Sequence, residues 1–554
     1  MCGIFALLKK NTKKVNMLEL QYEFNKLTYR GPDYSILKEY TNKLIVGFTR
    51  LSINDISDKG HQPFEFEDRY FKYIAICNGE LYNFMELKEK YKLSTDTTSD
   101  CGILIPLFLK VGFKRMINLL NGVFAISIIK INKETSEIEM NIARDRLGVR
   151  PLFYSIDNDF LISSEVKALS NITENINIFP PGNIASISSK DYKLNMYPYY
   201  SFIYKSSLDD DTEDNILSLI RIYFTKAIKK RLLSNRPLGS LLSGGLDSSL
   251  VSALTRKFSR KKIKTFSIAM SGGTDIKYAE MVANHINSDH ITIELSKDDF
   301  LGAIEPTIEA IESYDITTVR ASVGQYLVSK YISENTDIKV LMSGDGSDEL
   351  SSGYIYNYNA PNDKELHEEA EKRLREIHLY DVLRADRATS CHGLELRVPF
   401  LDQDFVDMYM KIPADLRKPK EGRMEKYLIR KAFANQNLLP DEVLWRKKEA
   451  FSDGVSSEHD SWFEIINKYI DTKITDKEYE RERVKFVHCT PTSKEAYFYR
   501  KVFCKIYGNH NCKLIPNFWL PNWCGDITEP SARILNAYNK EENQVINESN
   551  GVII

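Results

Sequence analysis

A cysteine at position 2 is the first residue of this 554-residue sequence that could carry out chemistry. Removal of Met1 would leave Cys2 with a thiol and a free α-amino group on one residue. Such an amine can act as the base for its own nucleophile. Taken alone, a cysteine at this position is more often incidental, so the surrounding sequence has to decide.

Two glycine-serine turns could hold a phosphate group. SGGLDSS (243–249) and SGDGSDEL (343–350) each follow an apolar run that reads as a strand. The first also opens a helical pattern, so backbone N–H groups and a helix N-terminus can hold an anion. It lacks the Gly-Lys-Ser/Thr ending of a Walker A loop, and alone it fits a plain strand-to-helix turn equally well. Asp247 and Asp348 lie in these turns and offer the oxygen ligands that Mg²⁺ prefers.

Two patterns of elements must position these residues. Up to about residue 200, short β-rich runs alternate with turn signals, which is typical of a layered α+β domain. After the acidic stretch 206–215, strands alternate with helices, which favours a doubly wound parallel α/β sheet, and the part from about 355 to 515 is mostly helical. We expect domains at 2–203 and 214–540 and a disordered tail at 541–554.

Composition narrows the class of function. Lysine and arginine (75) nearly balance aspartate and glutamate (77), which argues against a nucleic-acid partner bound through bulk charge. The eight cysteines form no CxxC pair, so neither a zinc ribbon nor a disulfide scaffold is indicated. The sequence contains neither a secretory signal nor an apolar run of roughly 20 residues, so we expect a cytoplasmic protein without a membrane partner.

An ordered set of motifs accompanies Cys2. The motifs are RGPD (30–33), GFTRLSI (47–53), HQPF (61–64), NGELYN (78–83), SD (99–100), LNGVFA (120–125) and RDRLGVRPLFY (144–154). Over residues 2–200 they resemble the class II glutamine amidotransferase domain of the N-terminal-nucleophile hydrolases. The resemblance implies an α+β sandwich in which the Cys2 thiol attacks the side-chain amide of glutamine and the Cys2 amine carries the proton to ammonia.

The same resemblance assigns a glutamine pocket. Asn78 and Gly79 would form the oxyanion hole, and Arg50 and Asp100 would bind the α-carboxylate and α-ammonium of glutamine. Backbone groups of three further residues would line this pocket: Leu51, Ile53 and Glu80. Taken singly, Asn-Gly is a common hairpin turn and the charged residues could be surface groups, so the inference depends on the ordered set.

The first turn resembles the SGGxDS pyrophosphate loop of ATP pyrophosphatases, which cleave ATP between the α- and β-phosphates. The resemblance implies that the two turns and their neighbours bind ATP and its pyrophosphate through Leu241, Ser243, Gly244, Gly245, Asp247, Ser248, Ile268, Ser343 and Gly344. It also implies that Asp247 and Asp348 hold Mg²⁺ as the cofactor.

Four later motifs resemble the synthetase domain of asparagine synthetases. They are SYDITTVRAS (313–322), HGLELRVPFLD (392–402), WRKKEAFSDG (445–454) and WLPNWCGDITEPSAR (519–533). The resemblance implies aspartate as acceptor, bound by Thr317, Thr318 and Arg320, with Lys448 and Asp345 as catalytic residues. It further implies a β-aspartyl-AMP intermediate, glutamine as nitrogen donor and a possible homodimer. Because ammonia is protonated in bulk water, we expect a sheltered channel between the two sites.

Three segments depart from the family pattern. Asp345 replaces a glutamate, which withdraws the carboxylate by roughly 1.5 Å. RASVGQY (320–326) differs from the usual RASTPMY, and Asp386 and Arg387 replace asparagine and lysine. We expect these changes to affect rate and acceptor fit more than reaction class.

Other readings remain open. A β-lactam synthetase-like enzyme would not need the glutaminase residues around Cys2. A phosphoribosylpyrophosphate amidotransferase would lack the SGGLDSS turn. A binding or regulatory protein without turnover would need neither the residues around Cys2 nor the SGGLDSS turn. This alternative stays open because of Asp345.

Overall fold

A computed structural model describes residues 1–11, 15–448, 454–456, 461–525 and 527. The predicted tail at 541–554 and the stretch 528–540 of the predicted second domain lie outside the described residues. Three β-sheets organise the described part of the chain. Within that part, no helix combines the length and apolarity needed to cross a membrane.

Two six-stranded antiparallel sheets form the N-terminal part. Their strands are β1 (Gly3–Leu8), β2 (Tyr34–Thr41), β3 (Leu44–Arg50), β4 (Phe64–Glu67), β5 (Phe71–Leu81), β6 (Gly122–Asn132), β7 (Ile138–Arg144), β8 (Phe153–Ile156), β9 (Phe160–Ser163), β10 (Asn177–Ile178), β11 (Asn183–Ser188) and β12 (Asn195–Pro198). The strand orders are β10-β8-β9-β1-β3-β2 and β12-β11-β7-β6-β5-β4. The helices of this part are α1 (Met17–Asn25), α2 (Phe84–Lys90), α3 (Leu104–Val111) and α4 (Phe113–Leu119).

The sandwich places Cys2 at the start of a central strand. Ile4 and Ala6 of β1 point between the two sheets and belong to the core there. Phe5 and Leu7 point to the other face, into a cluster that also contains residues of α1. Because both faces of β1 are covered, the strand is a continuous apolar run.

A five-stranded parallel sheet organises the C-terminal part, in the order β15-β14-β13-β16-β17. Its strands are β13 (Leu238–Leu241), β14 (Lys264–Met270), β15 (Asp289–Leu295), β16 (Val340–Met342) and β17 (Glu395–Arg397). Its helices are α5 (Glu213–Lys230), α6 (Leu246–Phe258), α7 (Asp275–His285), α8 (Lys297–Gly302), α9 (Ile304–Ile311), α10 (Ile316–Asn335), α11 (Ser347–Ser351), α12 (Asp363–Glu376), α13 (Asp381–Ser390), α14 (Gln403–Tyr409), α15 (Ala414–Arg417), α16 (Tyr427–Ala434), α17 (Asp441–Leu444), α18 (Trp462–Asp471), α19 (Asp476–Arg483) and α20 (Lys494–Tyr507). The predicted fold class is confirmed: an α+β sandwich followed by an α/β parallel sheet with a helical C-terminal part.

The strand order brings the two glycine-serine turns together. From β13 the chain proceeds to β14 and β15 on one side and then returns to β16 on the other. Ligand crevices in doubly wound sheets lie at such a reversal, beyond the carboxyl ends of the strands. The turns after β13 and β16 meet there so closely that a Cβ at Gly344 would lie 2.7 Å from the backbone nitrogen of Ser248.

Candidate active sites

Three contacts fix Cys2 inside the first part of the chain. Its backbone N–H donates to Asn78 Oδ1 at 3.1 Å. Its Sγ lies 3.9 Å from the carbonyl oxygen of Leu51. Its own carbonyl accepts a hydrogen bond of 2.9 Å from Arg30 Nε. The thiol is therefore held against β5 and the loop that follows β3.

Asn78 offers a hydrogen-bond donor beside this thiol. The residue is fully buried, and its Nδ2 has no hydrogen-bond partner among the described residues. An unpaired buried donor costs about 1–3 kcal/mol, so such a group is suited to an acceptor on a ligand. At the neighbouring Gly79, a Cβ would clash with the carbonyl oxygen of Val123 on β6, which explains the glycine. This arrangement can stabilise an oxyanion.

The thiol needs a base. Burial raises the pKa of Cys2 to about 11, so the sulfur is protonated at neutral pH. Met1 is 2% exposed, and burial lowers the pKa of its α-amino group to about 6. Removal of Met1 would transfer the terminal amine to Cys2 itself, where an unprotonated amine could accept the thiol proton.

Arg50 and Asp100, the predicted ligands of the glutamine α-groups, are both buried. The Arg50 guanidinium donates to backbone carbonyls, including that of Ser57 at 2.8 Å, and so holds the loop after β3. Asp100 accepts a hydrogen bond of 2.7 Å from the backbone N–H of Leu81. Burial raises the pKa of Asp100.

Glu80, Leu51 and Ile53 face the second part of the chain. Glu80 Oε2 lies 3.3 Å from Arg397 Nη2 at the end of β17, and burial raises the pKa of Glu80. Leu51 and Ile53 form a small apolar cluster with Val340 of β16. The predicted glutamine pocket therefore abuts the parallel sheet.

A buried charge network, which we call the interdomain network, joins the two parts beside Cys2. It consists of Arg30, Arg150, Glu165 and Asp386, each at most 3% exposed. Arg30 Nη1 lies 2.6 Å from Glu165 and 2.8 Å from Asp386, and Arg150 Nη1 lies 3.1 Å from Asp386. Because Arg30 also binds the Cys2 carbonyl, a carboxylate of the second part lies one side chain from the predicted nucleophile.

A cleft beyond β13 and β16 forms the second site. The cleft is lined by many of the site residues predicted from the sequence: Leu241, Ser243, Gly245, Asp247, Ser248, Ile268, Ser343, Gly344, Asp345, Asp348 and Lys448. Gly244 lies in the same turn at φ +82°, and a Cβ there would be 2.6 Å from the backbone nitrogen of Ala279. The turn after β13 therefore requires glycine both for its backbone angle and for its approach to α7.

Asp247 and Asp348 converge on one ammonium group in this cleft. Lys426 Nζ pairs with Asp247 and lies 2.7 Å from Asp348 Oδ1, while Lys448 Nζ lies 2.6 Å from Asp348 Oδ2. Burial acts to raise the pKa of Asp348, but the two lysines outweigh it and hold this pKa well below its usual range. Asp348 therefore stays ionised beside Asp247, which fits a divalent cation.

The described residues contain no group of three or more potential metal ligands. A Mg²⁺ ion held by Asp247 and Asp348 would therefore complete its shell with phosphate oxygens and water, as this ion commonly does.

Asp345 is held at one end of the cleft. Its Oδ1 lies 2.9 Å from Arg384 Nη2 and its Oδ2 accepts a hydrogen bond from Ser343. Arg384 also binds Asp381 and the side-chain oxygen of Gln325, both at 2.9 Å. The side-chain amide nitrogen of Gln325, Nε2, is buried and has no hydrogen-bond partner among the described residues.

The three residues predicted to bind aspartate lie at the start of α10, and none is among the described residues that line the cleft. Asp315 caps this helix by accepting from Thr318 N–H at 2.9 Å and Thr318 Oγ1 at 2.7 Å. Arg320 donates to both carboxylate oxygens of buried Glu495, through Nε at 2.7 Å and through Nη2. Thr317 Oγ1 is buried and unpaired in the described structure.

Among the residues along the cleft that sequence reasoning missed are Gln325, Asp381, Arg384 and Lys426. Gln325 lies in RASVGQY (320–326) and Arg384 lies two residues before Asp386. We expect departures from the family pattern at both places, so a signal was available. Lys426 adopts a left-handed conformation, φ 59°, just before α16, and no motif marks it.

The fold and the two sites define a class of protein that joins an N-terminal cysteine site on a sandwich to a phosphate-binding cleft on a parallel sheet. The asparagine synthase family model matches residues 219–363 and 357–524, and the glutamine amidotransferase domain model matches residues 1–178. The chain belongs to the glutamine-hydrolysing asparagine synthetase family, which confirms the resemblance drawn from the motifs.

Individual relatives match over nearly the whole chain. The glutamine-hydrolysing asparagine synthetase of Gallus gallus is 40% identical over 573 residues, and that of Homo sapiens is 39% identical over 571 residues. Each match covers 97% of this chain and 99% of the relative. Among solved structures, the glutamine phosphoribosylpyrophosphate amidotransferase from B. subtilis covers 54% of this chain and 91% of its own at 16% identity and a TM-score of 0.32, which is too low to support an inference.

Proposed function

We propose that this protein makes asparagine from aspartate, with glutamine as nitrogen donor and ATP as the activating co-substrate. The overall reaction converts ATP, aspartate, glutamine and water into asparagine, glutamate, AMP and diphosphate. The observation that carries the proposal is that the Cys2–Asn78 site and the Asp247–Asp348 cleft occur in one chain, joined by the interdomain network.

In the first site, the amine of processed Cys2 accepts the thiol proton while Sγ attacks the amide carbon of glutamine. The C–N bond then breaks, and the same amine returns the proton to the departing ammonia. Asn78 Nδ2 and the Gly79 N–H stabilise the oxyanion. Water releases glutamate from the thioester and restores the thiol.

The glutamine is held by charge and by backbone groups. Arg50 binds its α-carboxylate and Asp100 its α-ammonium. Backbone groups of Leu51, Ile53 and Glu80 complete the pocket.

In the second site, the β-carboxylate of aspartate attacks the α-phosphorus of ATP and pyrophosphate leaves. Backbone and hydroxyl groups of the first turn hold the pyrophosphate: Ser243, Gly244, Gly245 and Ser248. Asp247 and Asp348 would hold Mg²⁺, which supplies positive charge to the departing pyrophosphate. Leu241, Ile268, Ser343 and Gly344 contact the adenosine.

Ammonia then attacks the acyl carbon of β-aspartyl-AMP and AMP leaves. Lys448 stabilises the negative charge that develops in this step, and Asp345 helps to position the reacting groups. Aspartate binds between the cleft and the first turn of α10, where Thr317, Thr318 and Arg320 lie. Arg384, which lines the cleft directly, is an additional cation for its carboxylates.

The division into domains at 2–203 and 214–540 is part of the same proposal. It is supported by the gap between β12, which ends at Pro198, and α5, which begins at Glu213. A cytoplasmic homodimer is proposed from the family alone, and light scattering of the purified protein tests the dimer.

The direct test is product release. Purified protein with Mg-ATP and ammonia should form AMP, pyrophosphate and asparagine only when aspartate is supplied, and glutamate should not replace aspartate. Release of AMP without aspartate, or with another carboxylic acid in its place, would show that the acceptor is assigned wrongly.

A further inference from the structure

Two thiols lie side by side away from both sites. Cys504 belongs to α20, and Cys512 belongs to the 3-10 helix that follows it, Asn509–Leu514. Their Sγ atoms are 3.2 Å apart. Cys512 is 2% exposed, whereas Cys504 is partly exposed. A small oxidant can therefore reach one sulfur of the pair from solvent.

A buried guanidinium lies next to Cys504. Arg500, one turn earlier on α20, is 2% exposed, and its Nε and Nη1 have no hydrogen-bond partner among the described residues. It packs on the rings of Tyr314 and Phe486, with its central carbon 4.3 Å and 5.1 Å from their centroids. A buried cation without an anion is unfavourable, and a thiolate at Cys504 would supply that anion.

The electrostatics around the pair favour this thiolate. The pKa of Cys504 is lowered to about 7, first because Cys512 donates a hydrogen bond to it and then because of Arg500. The same hydrogen bond raises the pKa of Cys512. Cys504 is thus the attacking sulfur and Cys512 the resolving one.

Cys512 is tied to the segment predicted to bind aspartate. Its carbonyl accepts a hydrogen bond of 2.7 Å from the hydroxyl of Tyr314. Tyr314 directly precedes Asp315, the cap of α10, and that helix begins with the turn that carries Thr317 and Thr318. A displacement of Cys512 is therefore transmitted to this turn through one hydrogen bond and one peptide unit.

We propose that Cys504 and Cys512 form an oxidative modification site, which a hydroperoxide converts to a disulfide, and that the disulfide weakens aspartate binding at the start of α10. The second half of this statement rests on the proposed function. Bond formation requires the sulfurs to approach from 3.2 Å to about 2.0 Å. The Cys512 backbone is drawn toward α20 by this shortening.

The oxidation balances with hydrogen peroxide. The Cys504 thiolate attacks one peroxide oxygen, the O–O bond breaks, and the departing hydroxide takes a proton and leaves as water. Cys512 then attacks the sulfenic sulfur, the S–O bond breaks, and the second water leaves with the Cys512 proton. Two thiols lose two electrons in total, and the peroxide is reduced to two waters.

The chain contains a matched control pair. Cys77 lies close enough to Cys101 to raise the pKa of the Cys101 thiol, but these residues are 1% and 3% exposed. If proximity of thiols alone decided reactivity, both pairs would oxidise. Because peroxide has no access to the buried pair, we expect a disulfide only between Cys504 and Cys512.

The first experiment maps the chemistry in the full-length protein, independently of catalysis. After treatment with hydrogen peroxide, non-reducing peptide mass spectrometry should find Cys504 joined to Cys512, with Cys77 and Cys101 still reduced. In untreated protein, alkylation of Cys504 by iodoacetamide should rise with pH around a midpoint of about 7, and Cys512→Ala should raise that midpoint. Free thiols at 504 and 512 after peroxide treatment would overturn the site.

The second experiment tests the link to aspartate. Peroxide should raise the KM for aspartate several-fold in ammonia-driven synthesis, dithiothreitol should reverse the change, and Cys504→Ser should be insensitive. A mapped disulfide with an unchanged KM would overturn the link. If untreated protein makes no asparagine, the proposed function fails, while the peptide map still decides the modification site.

Discussion

Asp345 lines the cleft at a position where we expect a glutamate from the family pattern. Its carboxylate is held by Arg384 and by the hydroxyl of Ser343. Arg384 is anchored in turn by Asp381 and Gln325. The Asp345 side chain is therefore held in place in the cleft by Arg384. The sequence alone did not identify Arg384 as its neighbour.

Asp345→Ala should affect the two half-reactions unequally. Removing the carboxylate takes away one of the three groups that hold Arg384, and we expect asparagine formation to fall about 100-fold. Isotope exchange between ATP and pyrophosphate, which reports adenylation, should fall much less because the first turn is untouched. Asp345→Glu is the matched control and should retain most activity. Equal losses in both half-reactions would contradict this role.

At the scale of elements, the two turns depend on a close approach at Gly344. A Cβ there would lie 2.7 Å from Ser248 N and 2.8 Å from the Asp247 Cβ. Gly344→Ala should therefore separate the turns, cost about 1–3 kcal/mol in the free energy of unfolding and reduce ATP–pyrophosphate exchange. Gly302→Ala is the control, since a Cβ at that position meets nothing within 4 Å. Normal exchange by Gly344→Ala would show that the turns tolerate separation.

The cap of α10 should make stability depend on pH. Burial raises the pKa of Asp315 to about 6, despite hydrogen bonds from Trp519 and Thr318. Because an unfolded aspartate titrates at about 3.9, the stability contributed by the bound proton is fully present below that value. It is lost as pH rises through the folded pKa of about 6.

Asp315→Asn removes this titration. The free energy of unfolding of the native protein minus that of the variant should fall by about 2 kcal/mol between roughly pH 4 and pH 7. Urea unfolding of both proteins across this range measures it. A difference that does not change with pH would mean that Asp315 stays ionised in the folded state.

The sequence predicted those residues of each site that lie in short motifs. Cys2 and Asp247 lie in short motifs whose chemistry depends on neighbours along the chain. The pairing of Arg320 with Glu495 joins residues 175 positions apart, and no periodicity or motif reports such a contact. Lys426 reaches Asp247 across 179 positions, which is why sequence reasoning missed it.

At the scale of the whole molecule, the interdomain network couples the two halves through Asp386. From the family pattern we expect an asparagine at this position, and the carboxylate binds both Arg30 and Arg150. Arg30 also holds the Cys2 carbonyl. The negative charge of Asp386, in the second half of the chain, therefore helps to hold the predicted nucleophile Cys2 in place through Arg30.

Asp386→Asn should loosen this coupling. Arg30 loses one of two anionic partners, and we expect more than one glutamate to be formed per asparagine, with ammonia-driven synthesis unchanged. Asp407→Asn is the control, because its bridge to Arg146 also joins the two halves but is partly exposed and is worth about 0–1 kcal/mol. A glutamate-to-asparagine ratio that stays at one in Asp386→Asn would contradict the coupling.

The most direct test of the whole account follows the amide nitrogen of glutamine. With aspartate and Mg-ATP, label from glutamine should enter asparagine in the native protein. Cys2→Ala should abolish this transfer and leave synthesis from free ammonia intact. If Cys2→Ala still transfers the label, or if neither nitrogen source yields asparagine while ATP is cleaved to AMP, the proposed function is wrong.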